Sequence, residues 1–129
     1  MTVQINRTYR RFRNAGFSPV ESLRNAKVVT EFESREDVRI RWHANQENYF
    51  DVYGEPDTKE DRDEICRLID LWGCVCVYSE YQDEDGYWQQ ADSVGMCIYA
   101  NPASPLENCY VPDLMKAALE ASTVPRYSI

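Results

Sequence analysis

Carboxylates are the side chains this sequence offers in numbers large enough for chemistry. Glu55, Asp57, Glu60, Asp61, Asp63 and Glu64 make one run, and Glu80, Asp83, Glu84 and Asp85 make a second. Paired carboxylates can hold Mg²⁺ or act as general acid and base. Both runs, however, fall where solvated Asp and Glu ordinarily reside, at a helix N-terminus and at a hairpin tip. No Gly-rich phosphate loop, H-E-x-x-H, G-x-S-x-G or EF-hand spacing accompanies them. Asp83-Glu84-Asp85-Gly86 lacks the downstream bidentate Glu that a calcium loop requires. A small carboxylate-dependent enzyme is therefore the last of three readings, and no catalytic residue or cofactor is assigned.

The second run carries aromatic residues as well: Tyr78, Tyr81, Tyr87 and Trp88 lie within or beside it. Aromatic side chains set in acidic surface suit a basic partner, because carboxylates steer the encounter and Tyr or Trp supplies buried contact. The competing reading makes Tyr78 and Trp88 cross-strand core partners and leaves the carboxylates to keep the tip soluble. The five cysteines are an odd number, Cys74-x-Cys76 is not the C-x₂-C spacing of zinc sites, and His43 is the single histidine. Reduced core cysteines are expected, with no metal, although Cys97 can approach Cys74 and Cys76 across the hairpin.

Charge is unevenly distributed. Residues 1–27 carry Arg7, Arg10, Arg11, Arg13, Arg24 and Lys27 against Glu21, a net +5, and residues 28–129 carry a net −13 within the total of −8. The acidic body is a poor nonspecific ligand for nucleic acid, whereas the N-terminal segment is free to meet something acidic.

These residues need elements to position them. Residues 4–15 read as a helix, with Ile5, Tyr9 and Phe12 on one side. Ser18-Pro19-Val20-Glu21 opens a second, with Ser at the N-cap, Pro at N1 and Glu at N3. Its expected inward stripe is Val20, Leu23, Ala26, Val28 and Val29, with Phe17 stapled onto Leu23. Two helices joined by a Gly turn raise a helix-turn-helix reading in which Arg10, Arg11, Arg13, Arg24 and Lys27 contact DNA. An αα-hairpin with solvated arginines is the commoner arrangement, and here the next element is a strand. Val38, Ile40 and Trp42 alternate with Arg39, Arg41 and His43, as in a half-buried strand. Residues 48–54 fit a short strand or a helical turn. A helix follows over 58–71, with Ile65, Leu68, Ile69 and Trp72 on one face.

Residues 72–99 read as a hairpin turning at Asp85-Gly86, and Cys74 to Val77 form its most apolar run. Residues 107–111 are expected to be extended, and a last helix over 112–121 turns Leu114, Met115, Ala118 and Leu119 inward. The expected fold is α+β: a small antiparallel sheet of three to four strands around hairpin 73–99, an N-terminal helical hairpin, and further helices on one face. One domain over 1–129 is expected, divided into a basic hairpin (1–34), an acidic body (36–121) and a frayed tail (122–129). No apolar run is long enough to span a membrane, and the N-terminus lacks a signal-peptide layout, so a cytoplasmic setting is expected.

Trp72-Gly73, Asp85-Gly86-x-Trp88, Asp92-Ser93-Val94-Gly95 and the Asp113-Leu114-Met115-Lys116-Ala117-Ala118-Leu119 helix together resemble small proteins of phages, prophages and plasmids. The Arg-x-x-Gly-x-Ser-x-x-Glu-Ser-Leu-x-x-Ala pattern from Arg13 to Ala26 is similar to theirs too. The resemblance transfers no functional residues. It implies a setting inside a bacterium, where such proteins often inhibit host defence, as anti-CRISPR and anti-restriction proteins do. Combined with the charge map, it gives the first expectation: an acidic, DNA-mimicking inhibitor of a host nucleoprotein complex. Its partner surface is Asp57, Glu60, Asp61, Asp63 and Glu64 with Glu80, Tyr81, Asp83, Glu84, Asp85, Tyr87 and Trp88. The second is a DNA-binding regulator acting through the basic hairpin. A homodimer through edge strand 38–43 or the helical hairpin is open.

Overall fold

The computed structural model describes residues 2–122. Helix α1 (Val3–Asn14) starts where Thr2 Oγ1 accepts the Ile5 amide, and ends with Arg11 and Arg13 in its last turn, where cations suit the helix dipole. Helix α2 (Pro19–Glu33) begins at the Ser18 cap, whose Oγ accepts the Glu21 amide and donates to the Glu21 carboxylate. Strand β1 (Val38–Ala44), helix α3 (Tyr49–Tyr53), helix α4 (Lys59–Trp72), strands β2 (Val75–Gln82) and β3 (Trp88–Cys97), and helix α5 (Val111–Ala121) follow. The result is the expected α+β fold. Its sheet has three antiparallel strands in the order β1-β2-β3 among the described residues, and residues 49–53 resolve as a helix.

The sheet is covered on one side. Val38, Ile40, Val75, Val77, Tyr81, Ala91, Val94 and Cys97 meet Val111, Leu114, Met115, Ala118 and Leu119 of α5. The α5 helix packs on all three strands, α2 packs on α5, and α1 packs on α2. Helices α3 and α4 have no buried residue and make no comparable packing against any element. The expected cover of the sheet by a helix is supplied by α5.

Three expectations are corrected. The buried side of α2 is Ser22, Ala26, Val29 and Phe32, while Val20 is 68% exposed. Ala26, Val28 and Val29 of the expected stripe do face the interior, where α2 meets α5, and Val20 lies outside it. Phe17 packs edge-on against Phe12, with centroids 5.2 Å apart at 90°, so the two helices are joined by an aromatic pair. Residues 107–110 form turns leading into α5 at Val111, because the fully buried Asn108 organises them. Its amide donates to the Pro102 carbonyl at 2.9 Å and its oxygen accepts the Tyr110 amide at 3.1 Å, which sets the start of α5. The tail expected over 122–129 lies outside the described residues except for Ser122, and that residue is well tied.

Ser122 closes a polar cluster that pins three element ends. Arg35 grips Asp37 with two hydrogen bonds of 2.9 and 2.6 Å, and Ser122 Oγ donates to the same carboxylate. The chain leaving α2, the chain entering β1 and the end of α5 are thereby joined. The bonds from Arg35 hold the Asp37 carboxyl below its ordinary pKa, against the opposing effect of burial.

Two outcomes follow for stability. Asn108→Ala strands buried backbone groups and should cost about 2–3 kcal/mol in urea unfolding, whereas Asn101→Ala, at an exposed turn, should change little. Because the folded pKa of Asp37 is depressed, its stabilisation is present above the unfolded value near ~3.9 and is lost as pH falls through the folded value. Asp37→Asn should therefore flatten the acid limb of a urea-midpoint-against-pH curve. A mutant that loses stability as steeply as the wild type below pH ~4 would remove Asp37 from that account.

Candidate partner-binding surface

The hairpin tip uses several of its own expected contact residues. Asp83 Oδ1 accepts the amides of Asp85 and Tyr87 at 3.0 and 2.9 Å, and its Oδ2 accepts from the Gln89 side chain at 3.0 Å. Gly86 supplies the left-handed residue that the turn needs, at φ 86°. The Gln89 bond first, and the turn amides after it, lower the Asp83 pKa, so this carboxylate is a turn-forming group. Glu80 pairs with Arg39 at 2.7 Å, and the Arg39 guanidinium lies 3.8 Å from the Trp88 ring centroid. Tyr81 is half-buried against the core on the α5 side. What the tip leaves exposed is Glu84, Asp85 and Tyr87, the last at 70%.

Tyr78 and Trp88 are not opposite one another: Tyr78 faces Arg41 and Ser93, and Trp88 faces Gln82. Both belong to the sheet's outer side, with Arg39, Arg41 and His43. There the His43 and Tyr78 rings are 5.4 Å apart. The outer side is thus held by its own ion pair and ring contacts.

The first acidic run is arranged differently. Thr58 Oγ1 caps α4 by accepting the Asp61 amide, and Gly73 at φ 77° ends it with its amide on the Ile69 carbonyl. Arg62 pairs with Glu55 at 2.8 Å and sits 4.6 Å from the Phe50 centroid, which fixes α3 beside the start of α4. Arg67 grips Glu64 with bonds of 2.9 and 2.7 Å, and lowers its pKa. Asp57, Glu60, Asp61 and Asp63 are exposed and make no ion pair within the described residues. Glu60, Glu64, Arg67 and Leu71 fall at i, i+4, i+7 and i+11, one stripe of the helix, and Leu71 is 60% exposed at its end. Sequence reading missed Leu71, although that spacing was the available signal. Ile65, Leu68 and Ile69 on another side are only half-buried, and Trp72 is 42% exposed.

The basic residues of the N-terminal hairpin do not converge. Arg13 donates to the Phe17 carbonyl at 2.9 Å and helps close the turn. Arg24 and Lys27 lie beside Val20, Leu23 and Val28 along one side of α2. Arg11 turns with Arg7 toward a cleft on another side of the hairpin, and Arg10 is exposed without lining it. The cysteines are spread through the fold. Cys97 is buried within reach of the Asn108 amide, and Cys74 contacts the Met96 sulfur at 3.6 Å. Burial raises the thiol pKa at Cys74, Cys76 and Cys97, so none is a ready thiolate. No group of three His, Cys, Asp or Glu side chains among the described residues is placed to hold a metal ion. No helix among these residues is long and apolar enough to cross a membrane.

Comparison with protein-family models, with curated proteins and with solved structures finds no match for this chain.

The separation of structural from available carboxylates is open to measurement. Asp83→Ala should speed hydrogen exchange at the Asp85 and Tyr87 amides, while Glu84→Ala should leave both unchanged. Equal exchange in the two variants would return Asp83 to the pool of available surface charge.

Proposed function

We propose that this protein is a non-catalytic inhibitor that binds a basic, nucleic-acid-handling surface through α4, competing with the nucleic acid for it. The observation that carries this reading is the state of α4. It is a capped helix with an exposed carboxylate run, an exposed Leu71 and Trp72, and no residue buried in its own chain. A helix that offers exposed charge and exposed apolar area together suits recognition in a groove of a partner. Asp57, Glu60, Asp61 and Asp63 supply phosphate-like charge, and Leu71 supplies the apolar contact that makes such an encounter persist. Glu84, Asp85 and Tyr87 of the hairpin tip form a second, smaller contact in this reading, with Glu80, Asp83 and Trp88 holding the tip in shape.

The partner class follows from charge and from the resemblance to proteins of mobile elements. A body of net −13 is attracted to basic channels that hold DNA or RNA. The host setting proposed is the bacterial cytoplasm, with a CRISPR effector or a restriction enzyme as the target.

Competition decides it. A purified CRISPR effector or restriction complex from the host, loaded with fluorescent duplex at low salt, should release that duplex as the protein is added. Glu60→Lys, Asp61→Lys and Asp63→Lys together should weaken release by about a hundredfold, and Leu71→Ala by about tenfold, given roughly 1–3 kcal/mol per contact in such interfaces. Release that is unchanged by the triple charge reversal would eliminate α4 as the binding element.

A further inference from the structure

A cleft of about 320 Å³ opens between α1 and the C-terminal half of α2, within the range of roughly 300–1,000 Å³ typical of small-ligand sites. One wall is the α1 stripe of Gln4, Arg7, Thr8 and Arg11, at i, i+3, i+4 and i+7. The other is Thr30, Glu33 and Ser34 from α2. Arg7 and Arg11 stand one turn apart on the same wall, an arrangement that works against a helix unless something anionic lies between them. Helix α1 contains no acidic residue, and neither arginine forms an ion pair within the described residues.

The hydroxyls in the cleft are not equivalent. Thr8 donates to the Gln4 carbonyl at 3.0 Å, and Ser34 donates to the Glu31 carbonyl at 2.6 Å. Thr30 Oγ1 is sealed from solvent and has no hydrogen-bond partner among the described residues.

We propose that this cleft binds a phosphoryl group, held by Arg7 and Arg11. Guanidinium forks match the geometry of phosphoryl oxygens, and two of them neutralise a dianion. The Glu33 carboxylate on the opposite wall repels the anion locally and accepts hydrogen bonds. The favoured ligand is therefore a phosphate monoester with hydroxyl or amino donors at its far end, as in a nucleoside monophosphate. The site is independent of α4 and of the inhibitor reading built on it.

The test is an amide-shift titration of the full chain at low ionic strength, with inorganic phosphate, adenosine monophosphate and adenosine as separate probes. Shifts should concentrate at Thr8, Arg11, Thr30 and Ser34 with both phosphates, and adenosine alone should produce none. Tighter binding of the monophosphate than of inorganic phosphate identifies an esterified ligand, and equal binding identifies the free ion. Arg7→Gln with Arg11→Gln should weaken binding about tenfold or more, the loss of at least one hydrogen bond between charged groups. Both arginines are exposed, so the double variant should keep its folded spectrum. Absence of shifts at these amides with either phosphate, or undiminished binding by the folded double variant, would overturn the assignment.

Discussion

The contact between α5 and the inner side of the sheet supplies the largest share of the buried apolar side chains, and the rest of the chain is placed relative to it. Val111, Leu114, Met115, Ala118 and Leu119 lie against Val38, Val77 and Cys97. Full burial of side chains such as Leu114, Met115 and Leu119 contributes about 2 kcal/mol each. A three-stranded sheet needs such a cover, since strands without a packed face are marginal in water. The N-terminal hairpin reaches the core through α2 on α5 and does not sit on the strands as a separate layer. Asn108 and the Arg35–Asp37–Ser122 cluster matter for the same reason: they fix the two ends of the covering helix.

A sheet covered once has a second side to account for. Here that side is stabilised internally. Arg39 bridges Glu80 and Trp88, and His43 leans on Tyr78. Strand β3, one of the two edges, carries register shifts opposite Val75/Val77 and Ser79/Glu80, the first beside Met96 at φ 57°. Irregularities of this kind twist an edge strand away from further pairing. The outer sheet side and the β3 edge thus have features that use their polar groups internally. Helix α4 has its caps and local ion pairs but no fully buried residue, and the proposed contact through it rests on that contrast.

Much of this was legible in the sequence, and the boundary is a physical one. Local chemistry read correctly: the Ser18 cap, the helix beginning at about Thr58, the alternation of Val38 and Ile40, and the inward set of α5 all follow from neighbours within a few residues, whereas Trp42, expected with Val38 and Ile40, is 50% exposed. Long-range choices did not. Whether α2 turned Val20 or Ser22 inward depended on where α5 lay, more than eighty residues away. Asn108 reads as part of an extended piece because its partners, Pro102 and the turn before α5, are defined only by the folded connector. The candidate surface divided in the same way. Charge density was visible at once, but the sequence could not separate Asp83, bound up in turn amides, from Glu84 beside it.

With no fully buried residue in α4, local interactions must help to keep it helical. Isolated helices shorter than about 12–15 residues are marginal in water, and α4 has 14. Its compensation is at the ends and within the helix. Thr58 and Gly73 satisfy terminal groups, Glu60 and Asp61 lie in the first turn where the dipole favours carboxylates, and Arg67 bonds Glu64 within the helix. Arg62, through Glu55 and the Phe50 ring, adds an anchor to α3 that uses one side of one turn. Each contribution is local, so none requires the helix to bury its Glu60–Leu71 stripe. A helix ordered in this way meets a partner with much of its conformational entropy already lost, which reduces the ordering cost of binding. The arrangement that leaves α4 without a place in the core is therefore also the one that presents its charge in a fixed geometry.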